Sequence, residues 1–213
     1  IGAEALYEST SGIYNTAIGH RTLKTNVDGQ KNTAIGYQAL LLNQEGSTNS
    51  ATGYESLGDN TTGSANTATG YDSLRRNTIG NSNTASGWQA LHSNLEGDNN
   101  TASGVSALAG NVSGHGNTAT GSESLTRNTV GHANSASCTK ALFSNDSGSY
   151  NSAGGVGALS NNIKGSENTA FGTEALLGSI SGDKNTALGT RAGFRNETGS
   201  GNVFIGYESG YGK

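Results

Sequence analysis

Of 213 residues, 31% are hydrophobic, 6% are aromatic and 34 are glycine, with no proline and no methionine. That composition excludes the wide apolar centre of an ordinary globular domain. The formal charge of −4 is spread along the chain and the 12 basic residues form no stripe, which argues against nucleic acid as a partner, since a phosphate backbone selects a basic groove.

No apolar run approaches the roughly 18 residues of a membrane-spanning helix, so no membrane span is expected in this segment. The chain opens at Ile1, already inside a repeat and without an initiator methionine or signal peptide, and reads as a segment of something longer.

Asparagine recurs at one fixed interval along the whole chain, at Asn15, Asn32, Asn49, Asn66, Asn83, Asn100, Asn117, Asn134, Asn151, Asn168, Asn185 and Asn202. Glycine recurs as faithfully, from Gly12 and Gly29 to Gly182 and Gly199. A second glycine column runs from Gly19 and Gly36 to Gly206, broken only at Cys138. The unit is N-[ST]-A-x-G-x-x-[AST]-L-x-x-N-x-x-G-x-x. Such a period is the signature of a solenoid, in which each unit buries its apolar positions against its neighbours. Disorder would not hold leucine in a fixed register.

The elements of every unit can be taken from Lys31 to Leu42. In Thr33-Ala34-Ile35-Gly36, period-two alternation puts Ala34 and Gly36 on one face and Thr33 and Ile35 on the other. Alanine stands at its position from Ala17 to Ala187 while the Ile35 column drifts, so the alanine face is inside. A second short strand is expected to carry Leu40 and its column, Leu6 to Leu176.

Between the strands, the glycines of the Gly12 and Gly29 column are expected in turns with positive φ. The asparagines preceding most of them, as at Asn26, Asn43, Asn60 and Asn77, are natural turn neighbours. YQALL is a good helix former, but the unit is too short for two helices and glycine lowers helix propensity in every copy.

The expected fold is therefore all-β: a parallel β-solenoid, or β-roll, of about twelve coils forming a single domain over 1–213. At about 4.8 Å per coil it would make a rod roughly 60 Å long with two open ends. An atypical capping or junction region is expected at 190–213, where Gly193 replaces the leucine, Phe194 follows, and Asn202-Val203-Phe204-Ile205-Gly206 turns apolar.

The unbroken asparagine column is read as a structural ladder, each amide bonding to its equivalent one coil away or capping the turn backbone. Glu96-Gly97-Asp98 and Gly182-Asp183-Lys184 hint at calcium but lack the recurrent aspartates of calcium-binding rolls, and no metal or other cofactor is assigned. Cys138, alone and in a small-residue column, is expected to be buried and inert.

The segments Asn15-Thr16-Ala17-Ile18-Gly19 and Asn32-Thr33-Ala34-Ile35-Gly36, each followed by a small residue and leucine, resemble the head repeats of YadA-like trimeric autotransporter adhesins and related repeats of phage-type tail fibres. The resemblance extends over all the coils. It implies a left-handed parallel roll and three chains side by side in an extracellular, cell-surface or virion fibre. It also implies Ala34, Gly36 and Leu40 inside the roll, with Ile35 or Ala39 toward a neighbouring chain.

This chain departs from that pattern in its longer period. Its Ile18 and Ile35 column also becomes Thr52, Thr69, Ser86, Ser103, Thr120, Ser137 and Gly154 before Phe171, Leu188 and Ile205. Independently, one leucine and one alanine per coil bury little area, which favours a homotrimer.

Three functions follow from these readings. The first is a non-enzymatic fibre or adhesin segment whose outward residues meet a host surface, a glycan or another target. Tyr37, Tyr54, Tyr71 and Trp88 form an outward ladder that is either a binding platform or a stabilising stack. The second is an ice-binding or flat-surface-binding monomer using Thr67/Thr69, Thr84/Ser86, Thr101/Ser103 and Thr118/Thr120. The third, an enzyme, has least support: His115 and His132 share a column without a third ligand, and no nucleophile elbow or phosphate loop occurs.

Overall fold

The computed structural model describes residues 2–211. The ends of the expected 1–213 domain, Ile1, Gly212 and Lys213, lie outside the described residues.

Each coil contributes one strand of three residues: β1 (Thr16–Ile18), β2 (Thr33–Ile35), β3 (Ser50–Thr52), β4 (Thr67–Thr69), β5 (Thr84–Ser86), β6 (Thr101–Ser103), β7 (Thr118–Thr120), β8 (Ser135–Ser137), β9 (Ser152–Gly154), β10 (Thr169–Phe171), β11 (Thr186–Leu188) and β12 (Val203–Ile205). They form one 12-stranded sheet in sequence order, every neighbour parallel. Register is strict: Thr16, Ala17 and Ile18 oppose Thr33, Ala34 and Ile35, and the same alignment continues to Val203, Phe204 and Ile205. The all-β parallel solenoid is thus the fold of this chain.

Within each strand the central alanine is buried and its flanks face outward, as the period-two alternation requires. The second strand expected at Leu40 is absent among the described residues. Ala39 and Leu40 are adjacent and both fully buried, which a strand with alternating faces cannot accomplish. The chain instead takes left-handed φ at Gln38 (53°) and at Leu40 (52°), turning two successive side chains inward.

Such φ values cost about 1 kcal/mol or more per non-glycine residue. Coil-to-coil hydrogen bonds from the same segment offset that cost: Gln38 N–H donates to the His20 carbonyl at 2.9 Å, and Leu40 N–H to the Ser56 carbonyl at 3.0 Å. Ala39 therefore lies in the core, not toward a neighbouring chain, and of the two residues considered for that role only Ile35 faces outward.

The turn glycines differ from expectation as well. Gly29 and Gly46 do not have positive φ; the recurrent left-handed glycines are those that leave the strands, such as Gly36 at 137°. Gly46 is required by proximity: a Cβ there would stand 2.7 Å from Asn60 Nδ2 and would also strike Asn43 Oδ1 and the Gly63 carbonyl. The coils stack too closely for any side chain at that corner.

The core is a thin column of alanine and leucine walled by asparagine. Its C-terminal end exchanges large for small. Phe204 takes the alanine position, while Gly193 and Gly210 take the leucine positions on either side. A Cβ on Gly193 would lie 2.6 Å from the Phe204 ring and 2.9 Å from Leu176 Cδ2. The phenyl ring thus fills the room that two missing leucines would have occupied.

Candidate functional site

The columns divide into those consumed in holding coil to coil and those left facing solvent. The unbroken asparagines belong to the first kind. Asn49 N–H donates to Asn32 Oδ1 at 2.9 Å, and Asn49 Nδ2 donates forward to the Gly63 carbonyl at 2.8 Å. Asn100 does the same with Asn83 Oδ1 and the Gly114 carbonyl, and accepts in turn from Asn117 N–H. The side chain replaces a backbone ladder at the corner where the strand begins.

The turn asparagines make a second, separate ladder. Asn60 Nδ2 donates to Asn43 Oδ1 at 2.7 Å and to its own turn carbonyl, Gly63, at 2.9 Å. Each such glycine carbonyl therefore accepts from both columns. Apart from Asn15, Asn196 and Asn202 near the ends, both sets are buried, so a missing partner is costly.

A third ladder was not anticipated from the sequence. Ser47, Ser64, Asn81, Asp98, His115, His132, Ser149, Ser166, Asp183 and Ser200 share one corner, and each side chain accepts the backbone N–H of the residue one coil earlier. Ser64 N–H donates to Asn81 Oδ1 at 2.9 Å, Asp98 N–H to His115 Nδ1 at 2.9 Å, and Ser166 N–H to Asp183 Oδ1 at 2.8 Å. These residue types have one property in common, an acceptor close to the backbone, which was the signal to look for.

The stacked rings of His115 and His132, 5.3 Å apart, hold this ladder together. Asp98 and Asp183, whose turns hint at calcium, spend an oxygen on backbone amides instead. Among the described residues no group of three or more His, Cys, Asp or Glu is placed to hold a metal ion.

The outward columns offer the candidate contact surfaces. His20, Tyr37, Tyr54, Tyr71 and Trp88 stack along the axis, with ring centroids 5.6, 5.0, 5.0 and 6.5 Å apart. Their faces are covered by one another, so ring edges and tyrosine hydroxyls are what solvent meets. A hydrogen bond to Glu55, with a smaller contribution from burial, raises the Tyr54 hydroxyl above its ordinary pKa.

Beside the rings runs a column of charges paired across coils, Arg75 with Glu55 at 2.7 Å and Arg191 with Glu174 at 2.8 Å and Glu208 at 3.4 Å. Exposed pairs of this kind contribute little individually.

On the sheet face, Thr67/Thr69, Thr84/Ser86, Thr101/Ser103 and Thr118/Thr120 are all exposed and in register. Ile18 and Ile35 border this hydroxyl field on one side and Phe171, Leu188 and Ile205 on the other, all exposed. Phe171 lies over Gly154, where a Cβ would collide with its ring.

Cys138 is exposed, contrary to the buried thiol expected. Its column is small because the next coil's backbone presses on it, not because it points into the core. A Cβ on Gly121 would stand 2.7 Å from the Cys138 carbonyl carbon. At Cys138 itself the stack opens, and the following bond, Gly155 N–H to the Ser137 carbonyl, lengthens to 3.3 Å from 2.8 Å in the coil before.

A groove of about 710 Å³ runs along the turn side, lined by Arg127, Asp146, Asn161, Ile163 and Ile180 among others. No helix long and apolar enough to cross a membrane occurs among the described residues. Comparison with protein-family models, curated proteins and solved structures finds no match to this chain.

Proposed function

We propose that this chain is a non-enzymatic rod, a fibre or adhesin segment at a cell surface or on a virion, which holds contact surfaces at fixed spacing and assembles as a homotrimer. The observation that carries this reading is the division of labour among columns. Three ladders and the Ala/Leu core fix coil to coil, and the outward positions of the aromatic column and the sheet face vary without touching that machinery.

Such an arrangement suits presentation better than catalysis, which needs a concave site converging from several elements. The exposed apolar groups flanking the hydroxyl field, Ile18 and Ile35 at one end and Phe171, Leu188 and Ile205 at the other, are natural seams for neighbouring chains. Outward aromatic edges and hydroxyls suit a glycan or another polar surface as target.

Absolute mass in solution by light scattering tests the assembly: three times the 21.5 kDa chain is expected, and a monomer would remove the adhesin-type trimer. A monomer would favour the second reading, binding to ice or another flat surface, which rests on the in-register Thr/Ser face of β4 to β7. Thermal hysteresis that vanishes on Thr101→Lys would establish that alternative.

A further inference from the structure

The turn-asparagine ladder is interrupted once, where Ser179 stands in the column of Asn26, Asn43, Asn60, Asn77, Asn94, Asn111, Asn128, Asn145, Asn162 and Asn196. The chain does not close around this shorter side chain. Ser179 is fully buried, yet its hydroxyl and the Oδ1 of Asn162 below it make no hydrogen bond within the protein.

Two further groups at the same place are under-used. The Gly182 carbonyl accepts from Asn168 Nδ2 at 2.8 Å but lacks the second donor that Asn60 gives Gly63. Asn196 Nδ2 reaches its own turn carbonyl, Gly199, at 2.9 Å but has no carboxamide oxygen beneath it. The room is there as well. A Cβ on Gly63 would meet the next coil's carboxamide nitrogen at 2.7 Å, whereas at Gly165 the three nearest atoms, out to Asn168 Nδ2 at 3.1 Å, include none of Ser179.

We propose that Ser179 builds a binding site for one buried water molecule, which completes the asparagine ladder in place of a carboxamide. Three groups define the ligand by elimination. Asn162 Oδ1 and the Gly182 carbonyl each require a donor, and the Ser179 hydroxyl requires an acceptor; Asn196 Nδ2, a further coil of about 4.8 Å along the ladder, lies beyond the reach of the same water. A cation offers the hydroxyl no acceptor, and an anion has no donor for the two oxygens. Water supplies both, and the difference between asparagine and serine leaves roughly the volume of one water. Gly178 and Ile180, on either side of Ser179, line the turn-side groove and place the site just beneath solvent.

The test uses the full chain and two variants. A high-resolution crystal structure of the natural chain is expected to show one ordered water bonded to Asn162, Ser179 and Gly182. Magnetic relaxation dispersion of water should count one long-lived molecule fewer in Ser179→Asn, whose carboxamide takes its place. Ser179→Ala keeps the room and two of the three partners, so it should retain the water while melting about 3 °C lower. Absence of the water in the natural chain, or an unchanged count in Ser179→Asn, would overturn the proposal.

Discussion

The two asparagine columns use one side chain for different tasks. In the strand-side column, running through Asn100, each carboxamide oxygen accepts the backbone N–H of the next asparagine. In the turn-side column, running through Asn94, the oxygen accepts only a side-chain amide, that of Asn111. A backbone donor cannot rotate away from a lost partner, whereas a side-chain amide can. That difference accounts for the columns' histories within this one chain: the strand side has no exception, and the turn side tolerates Ser179.

The sharpest way to break the comparison is to truncate both in the middle of the rod. Asn100→Ala leaves Asn117 N–H without an acceptor inside the core, takes one of two donors from the Gly114 carbonyl, and should destabilise by about 3 kcal/mol in chemical denaturation. Asn94→Ala strands Asn77 Oδ1 and leaves Asn111 Nδ2 only the Gly114 carbonyl, and should cost about 2 kcal/mol. Equal losses would mean that the columns do not differ as argued.

The outer ladder extends the comparison to exposed positions. His132 Nδ1 accepts His115 N–H at 3.0 Å, a task that Asn81 performs for Ser64. His132→Asn should therefore be neutral, while His132→Leu, which has no acceptor, should cost about 1 kcal/mol. If Asn and Leu behave alike, the imidazole acts by ring stacking with His115 alone.

How much of this could be read from the sequence follows from the physics of each position. Thr33-Ala34-Ile35 was legible because three residues with one inward side chain are a strand in any context. Asn43 and Gly46 were legible as partners, since a side chain that bonds a carbonyl three residues on is a local matter.

Leu40 was not, because it takes a left-handed φ that leucine avoids alone and that only the neighbouring coils sustain. The adjacency of two small-then-large inward residues, Ala39 and Leu40, was the available clue against a strand. The ladder through Asp98, His115 and Ser149 was hidden by its mixed chemistry, and Cys138 by the assumption that a column of small residues is an inward one.

The smallest expected effect concerns acid. Burial is the main cause holding the His92 imidazole below its ordinary value of 6.5, opposed by Asp72 and reinforced by Arg75 and Arg76. The unfolded chain then takes up this proton before the folded one does. The contribution of His92 to stability is full above the unfolded value and is lost as pH falls below it.

Lowering pH from about 7.5 to about 5 should therefore reduce the denaturation midpoint, and His92→Gln should flatten that slope. A slope unchanged by His92→Gln would place the acid sensitivity among the carboxylates of the paired-charge column instead, beginning with Glu4, whose hydrogen bonds to Lys24 and Arg21 lower its pKa and whose contribution is lost only at more acid pH.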